Sequence, residues 1–363
     1  MRPTVRWAAV VAVLLLLATG CSGDDGKEAR ADADKAPGYP VTVTDCSGAQ
    51  TVFDKPPEKI VTSNASSLEL LLRLGAGDRV VGTGWPPGRG TLPSELDAQA
   101  QKVKVLSRTV IPREKLLVSG ADLYVNTFAP VGEGGGMGAP SNAEFKAAGI
   151  KRFQLKSTAC APTGDAPVTD LDAVETDITR LGAVTGRSER AHQLIDGMRK
   201  KVDTVQKAVR GIARNEQPSY FLFDIDGGTK ELTVACNRQV ANAVITLAGA
   251  RSIFSDCDDD HRQVGWEEVL SRNPDWIQLG VRNRGSVEAN EKAFDDARNW
   301  LRTNEATKGL TAVKKGRLLR IGLERTTIAG VENAETVEKI AAALHPDRLA
   351  AAAPAAGDPA DLG

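Results

Sequence analysis

The stretch Ser188–Ile212, SERAHQLIDGMRKKVDTVQKAVRGI, decides the architecture. Its apolar residues Ala191, Leu194, Ile195, Met198, Val202, Val205, Val209 and Ile212 fall three or four apart, with one adjacent pair. That spacing draws a single stripe along an α-helix. Twenty-five helical residues extend about 37 Å at 1.5 Å per residue. A small α/β lobe does not need so long a helix, and a rod joining two lobes does; a long surface helix of one lobe is the alternative that the stripe leaves open. The segment Asp170–Thr185 reads as a separate helix that stops at Gly186, with Ser188 opening the rod.

On either side of the rod, strand and helix signals alternate. Before it come the hairpin Val41–Thr44 and Thr51–Phe53, the strand Lys59–Thr62, a Leu-rich helix from Leu68, and the strand Arg79–Gly82. A helix from Pro112, the strand Asp122–Val125, a Ser141-capped helix and the strand Lys151–Leu155 follow. After the rod come Tyr220–Phe223, helices at Val240–Leu247 and Trp266–Leu270, strands at Trp276–Leu279 and Leu318–Ile321, and a last helix Val331–Leu344. Short connections between alternating elements predict small parallel sheets flanked by helices. The expected fold class is α/β, two Rossmann-like lobes with mostly parallel sheets joined by one long rigid helix. The expected division is an N-terminal lobe 40–187, an interlobe helix 188–212, a C-terminal lobe 213–348 and a disordered Ala/Pro/Gly-rich tail 349–363.

The first twenty residues set the compartment. Arg2 and Arg6 precede an apolar run Trp7–Ala18, too short for the roughly 20 residues that a spanning helix needs. A charged start, a short apolar run and small residues form an export signal. The run ends Leu17-Ala18-Thr19-Gly20-Cys21-Ser22, which resembles a bacterial lipoprotein cleavage box with Cys21 as lipid acceptor. Polar residues 21–39 then form a flexible tether. The expected location is the outer face of the cell membrane, with a lipid anchor as the only membrane contact. Four cysteines remain after Cys21, an even number suited to disulfides outside the cytosol. Of three connectivities, Cys46–Cys160 and Cys236–Cys257 keep each bridge within one lobe.

Composition removes several functions. Lys+Arg 46 against Asp+Glu 47 leaves a net charge of −1, without the excess that nucleic acid demands. Aromatic residues are 4% of the chain, too few for a base-stacking platform. No Gly-x-Ser-x-Gly elbow, His-Glu-x-x-His pair or phosphate loop is present, so no catalytic residue and no cofactor are expected. The run Asp256-Cys257-Asp258-Asp259-Asp260-His261 could hold a hard cation but lacks calcium-loop spacing, so a solvated acidic loop is expected and no metal site. Gly132–Gly138 reads as a surface loop. A secreted metal-dependent hydrolase and a scaffolding lipoprotein are the competing classes.

Ligands of open parallel sheets sit beyond the carboxyl ends of strands. Those positions carry Asn64, Ser66, Trp85, Arg89 and Phe128 in the first lobe, and Arg238, Arg262, Arg282, Arg284 and Arg325 in the second. Guanidinium forks match carboxylates and phosphates, so an anionic ligand is expected, with two or three of the arginines lining the cleft.

Residues Thr42–Asp45, Phe53–Val61, Ser66–Leu71 and Leu74–Gly82 together resemble the binding proteins of iron-siderophore and cobalamin ABC importers. Ala147–Ile150, Asn242–Phe254 and Trp266–Asp275 extend the likeness across roughly Val41–Leu344. The Cys46 and Ser157–Cys160 arrangement resembles an actinobacterial branch that includes carriers of a deazaflavin cofactor precursor. The resemblance implies a monomeric lipoprotein that captures a ferric siderophore between two lobes and hands it to an ABC permease with its ATPase. Cobalamin, haem or a deazaflavin precursor are the alternative cargoes. It also implies one permease-docking glutamate per lobe, Glu114 and Glu267, with Glu268 as a register alternative.

Overall fold

The computed structural model describes residues 36–128 and 139–352. The first lobe is built on a four-stranded parallel sheet of order β4-β3-β5-β6, with β3 Ile60–Thr62, β4 Val80–Thr83, β5 Leu123–Asn126 and β6 Lys151–Gln154. Ile60, Val61, Leu123, Val125 and Phe153 are wholly buried, as strands covered on both faces require. The second lobe repeats the plan with order β12-β11-β7-β9: β7 Ser219–Asp224, β9 Arg251–Ser252, β11 Trp276–Gly280 and β12 Leu318–Arg320. Each lobe adds a two-stranded antiparallel ribbon. In the first it pairs β1 Val41–Thr44 with β2 Gln50–Phe53, and in the second β8 Leu232–Ala235 with β10 His261–Val264.

The rod is the helix Ser188–Val209, 22 residues and about 33 Å long. It stops three residues before the expected end, at a bend through Gly211 with φ 83°. The preceding helix, Asp172–Thr185, ends on Gly186 at φ 68°, the left-handed conformation that a glycine adopts at least cost. The rod's stripe joins a single apolar core that includes Leu71, Val125 and Ile178 of the first lobe and Val244, Val337 and Ile340 of the second. Polar contacts reinforce it on the second-lobe side: Lys201 Nζ meets Glu338 at 2.8 Å, and the Gln206 amide donates to the Leu247 carbonyl. The helix Pro346–Ala352 occupies the first four residues of the expected tail 349–363. The remainder of that tail, the export signal, Cys21, most of the tether and the loop 132–138 lie outside the described residues. No helix of the described residues is long and apolar enough to cross a membrane.

Each lobe carries its own disulfide, Cys46–Cys160 with Cα atoms 5.4 Å apart and Cys236–Cys257 at 5.1 Å. The lobes also touch directly at the cleft. The Arg89 amide donates to the Gly285 carbonyl at 2.9 Å, and the Val287 amide to the Arg89 carbonyl at 3.2 Å. The Asn283 side chain donates to the Pro86 carbonyl at 3.0 Å.

Candidate functional site

A cavity of about 730 Å3 lies between the lobes, at the carboxyl ends of both parallel sheets. The first lobe contributes Asn64 and Ser66 after β3, Trp85 and Pro86 after β4, and Phe128 after β5. The second contributes Leu222 and Asp224 of β7, His261 of β10, Arg282 to Arg284 after β11, and Leu323, Glu324 and Ile328 after β12. Much of this wall is carbon. Trp85 and Phe128 meet edge to face with ring centroids 5.4 Å apart, an arrangement that suits the aromatic quadrupoles.

Local structure holds these side chains in place. Asn64 caps the helix Ala65–Arg73: its Oδ1 accepts from the Ser67 amide at 3.1 Å, and its Nδ2 donates to Thr127 Oγ1 at 2.6 Å. Asn64 therefore lines the cavity with its polar atoms already engaged. Trp85 stands at φ 30°, a left-handed backbone that an indole-bearing residue rarely adopts. Gly84 before it packs so tightly against Ile111 and the Ser63 carbonyl that no Cβ would fit. The strain aims the Trp85 ring at Phe128. The Phe128 backbone is pinned in turn by both ends of the Asn126 amide, at 3.1 and 3.2 Å.

The second-lobe arginines of the cavity are matched by acids of the same lobe. Arg282 Nη2 meets Asp224 Oδ2 at 3.1 Å, and Arg284 pairs with Asp226. The Arg282 amide also donates to Asp226 Oδ2 at 2.9 Å, fixing the loop after β11 on the turn after β7. Burial pushes the Glu324 carboxyl up, against a hydrogen bond from the Asn283 amide that holds it down.

Of the five second-lobe arginines expected at the cleft, Arg282 and Arg284 reach it. Arg238 pairs with Asp258 at 3.0 Å instead, and Arg325 with Glu335 at 2.7 Å. Arg262 is on a strand, not on a loop. Strand alternation sends His261 to the cavity and Arg262 to the other face, over Phe254 and onto Glu268. Arg89 lines a smaller neighbouring cavity of about 380 Å3. The premise of a strongly basic cleft is thereby corrected: of the five second-lobe arginines, the two that reach the cavity are compensated by Asp224 and Asp226. Those two acids belong to the segment Asp224–Gly228, whose sequence reads as a turn. It is one, with Asp224 capping it through the Gly227 amide at 2.9 Å, and it also supplies the counter-ions. Arg108, Thr233 and Gln239 also line the wall; Arg108 is on an irregular loop rather than at a strand end, and the residue types of Thr233 and Gln239 do not mark them out.

In the acidic run before His261, Asp256 pairs with Arg272 at 2.7 Å and Asp258 with Arg238, Asp260 lies 3.1 Å from His261 Nδ1, and Asp259 accepts from the Asp260 amide. Among the described residues no three His, Cys, Asp or Glu side chains are grouped to hold a metal ion. Glu114 and Glu267 are exposed in the first turns of their helices, Arg113–Leu117 and Trp266–Arg272. Glu268 is held by Arg262 and by Arg272, the latter at 2.8 Å.

The sequence profile described as periplasmic binding protein matches residues 143–323. The chain is 26% identical over 347 residues to the ABC transporter substrate-binding lipoprotein YvrC of Bacillus subtilis strain 168, covering 94% of this chain and 96% of that one. It is 24% identical over 348 residues to a cobalamin-binding protein of Halobacterium salinarum, covering 92% of this chain and 82% of that one. Among solved structures, a periplasmic binding protein from Veillonella parvula superposes with a TM-score of 0.71 at 21% identity, over 85% of this chain and 99% of that one. Two parallel-sheet lobes on one helix, a cleft at their strand ends and these likenesses together show that the chain belongs to the periplasmic binding protein family, as a solute-binding protein of an ABC importer and not an enzyme.

Proposed function

We propose that the interlobe cavity captures a bulky metal chelate of low net charge, above all a ferric siderophore of the hydroxamate kind, for delivery to an ABC permease. The observation that carries this reading is the charge matching on the second-lobe wall: Arg282 and Arg284 face Asp224 and Asp226, beside the walls of Trp85, Phe128, Leu222 and Leu323. A ligand with several net negative charges would lose its hydration with Arg108 as the one arginine of the cavity lining that no acid of the described residues pairs. Three hydroxamates on Fe3+ sum to zero, whereas a ferric tricatecholate carries three negative charges and haem carries two propionates. A corrinoid is the second reading. It is favoured by the Trp85–Phe128 ring pair and by the likeness to the cobalamin-binding protein.

Cys21 as lipid acceptor would keep the exported protein at the membrane surface. Glu114 and Glu267, one on each lobe, are the docking charges of the proposal. Exposed Val118 and Leu270 accompany them as apolar contacts.

The test titrates the mature protein with ferrioxamine, cyanocobalamin, a ferric tricatecholate and haemin, following tryptophan fluorescence. A neutral chelate should bind at micromolar concentration or below, and Trp85→Ala should weaken it about tenfold or more. Binding of the tricatecholate alone would overturn the reading.

A further inference from the structure

The larger cavity does not end at its own walls. Pro86 and Arg108 line it and also line the smaller cavity of about 380 Å3, so the two meet at these residues. The smaller cavity continues past Arg89, Gln101 and Val103 to Gly285, Ser286 and Glu288.

The arginines around this pair of cavities differ in their partners. Arg282 and Arg284 are matched by Asp224 and Asp226. Arg89 lies near Glu288, whose carboxylate is held low first by its own backbone amide, then by the Ser286 hydroxyl and by Arg89 itself. Arg108 stands on the exposed loop between Leu106 and Thr109, and no carboxylate of the described residues lies within ion-pair distance of it. At the junction, then, is a guanidinium that no acid of the described residues pairs, opening on the smaller cavity.

We propose that Arg108 anchors a carboxylate arm of the ligand, which runs from the larger cavity into the smaller one while the uncharged body stays between Trp85 and Leu323. This inference rests on the larger cavity being the ligand site. A bidentate guanidinium–carboxylate contact is strong and directional, and a cation without a partner gains most from it. Arg108 would thus sort ligands that share one body by whether they carry an acidic arm.

The experiment is calorimetric titration of the mature protein with matched pairs of probes. One pair is ferrioxamine B acylated on its terminal amine by acetate or by succinate, the second leaving a free carboxylate. The other pair is cyanocobalamin and its monocarboxylic acid. The acidic member of the pair that binds should be tighter by about tenfold or more, the ordinary gain for a charge-assisted hydrogen bond. The gap should narrow as salt is raised. Arg108→Gln should bring the ratio within the pair close to one, and Arg108→Lys should restore part of it. Equal binding of both members by the wild type, or an unchanged ratio in Arg108→Gln, overturns the arm site and leaves the larger cavity standing. If no probe of either pair binds, the reading of the larger cavity falls, and the arm site falls with it.

Discussion

Glu332 is 2% exposed and its Oε2 has no hydrogen-bond partner. The groups around it come from both lobes. Ser66, Glu69 and Arg73 belong to the helix Ala65–Arg73, and Arg325 and Glu335 lie on the second-lobe side. Arg73 and Arg325 are already shared among Glu69 and Glu335, at 2.8 Å (Arg73 Nε to Glu69), 3.1 Å (Arg73 to Glu335) and 2.7 Å (Arg325 to Glu335). Burial, with Glu69 close by, therefore pushes the Glu332 carboxyl up to about 8. A carboxyl raised in the folded state binds its proton more tightly there than in the unfolded chain. Its contribution to stability is complete below the ordinary carboxylate value and is lost as pH rises towards 8. Glu332→Gln keeps the shape and removes the titration. Relative to this variant, the wild type should lose on the order of a few kcal/mol between pH 5 and 8. Melting curves of the two proteins across that range check it, and parallel curves would show that Glu332 is charged when buried. No sequence pattern announces this group, because Glu332 reads as an ordinary first-turn acid. The same limit hid the pairing of Arg238 and Arg325, since counter-ions twenty or ten residues away are fixed only by the fold.

At the level of elements, periodicity was informative wherever burial was one-sided or complete. The rod's stripe, the strands β5, β7 and β11 and the capped helix after Ser141 are all visible in residue order. Three kinds of element are not. The helix Val287–Thr303 buries little besides Phe294, Ala297 and Leu301, so its apolar signal is thin. The strands β8 and β10 form a ribbon whose second strand begins His261-Arg262-Gln263, all exposed. The helix Pro346–Ala352 has no buried residue, although Leu349 packs on the core from a half-buried position. Two glycines test the rod's packing in opposite directions. A Cβ on Gly182 would stand 2.5 Å from the Ala191 Cβ, where the preceding helix crosses the rod. Gly182→Ala should destabilise by about 1–3 kcal/mol, the usual range for overpacking. Gly197 lies on the rod with nothing within 4 Å of its missing Cβ. Gly197→Ala should stabilise by about 0.5–1 kcal/mol through helix propensity alone. Urea midpoints of both variants decide, and a stabilised Gly182→Ala would mean that the two helices can separate freely.

For the whole molecule, the proposed docking charges make a transport prediction. Glu114 and Glu267 are exposed, and neither has an ion-pair partner among the described residues, so removing them should leave the fold and ligand affinity near wild type. Charges at the two ends of a docking face act on encounter and orientation. The double variant Glu114→Ala with Glu267→Ala should lower cellular uptake, and stimulation of the transporter's ATPase in vesicles, by about tenfold or more. Normal transport by that variant, or lost ligand binding, would remove the assignment. Glu268→Ala is the informative comparison. It breaks the contacts to Arg262 and Arg272, and its effect should fall on stability rather than on transport.

The shared apolar core has a consequence for how the chain comes into being. The rod is complete once residue 209 has emerged, yet much of what covers it on the second-lobe side, from Val240 to Leu349, is made afterwards. Until then the first lobe carries a row of uncovered methyl groups at its growing end. Such a surface invites association with any other apolar chain nearby. Neither disulfide crosses the rod, so oxidation can secure each half without joining them. The two lobes look like separate units in the finished molecule. As a newly made chain they are coupled, and the rod's apolar stripe is fully covered only when the residues from Val240 onward have been made.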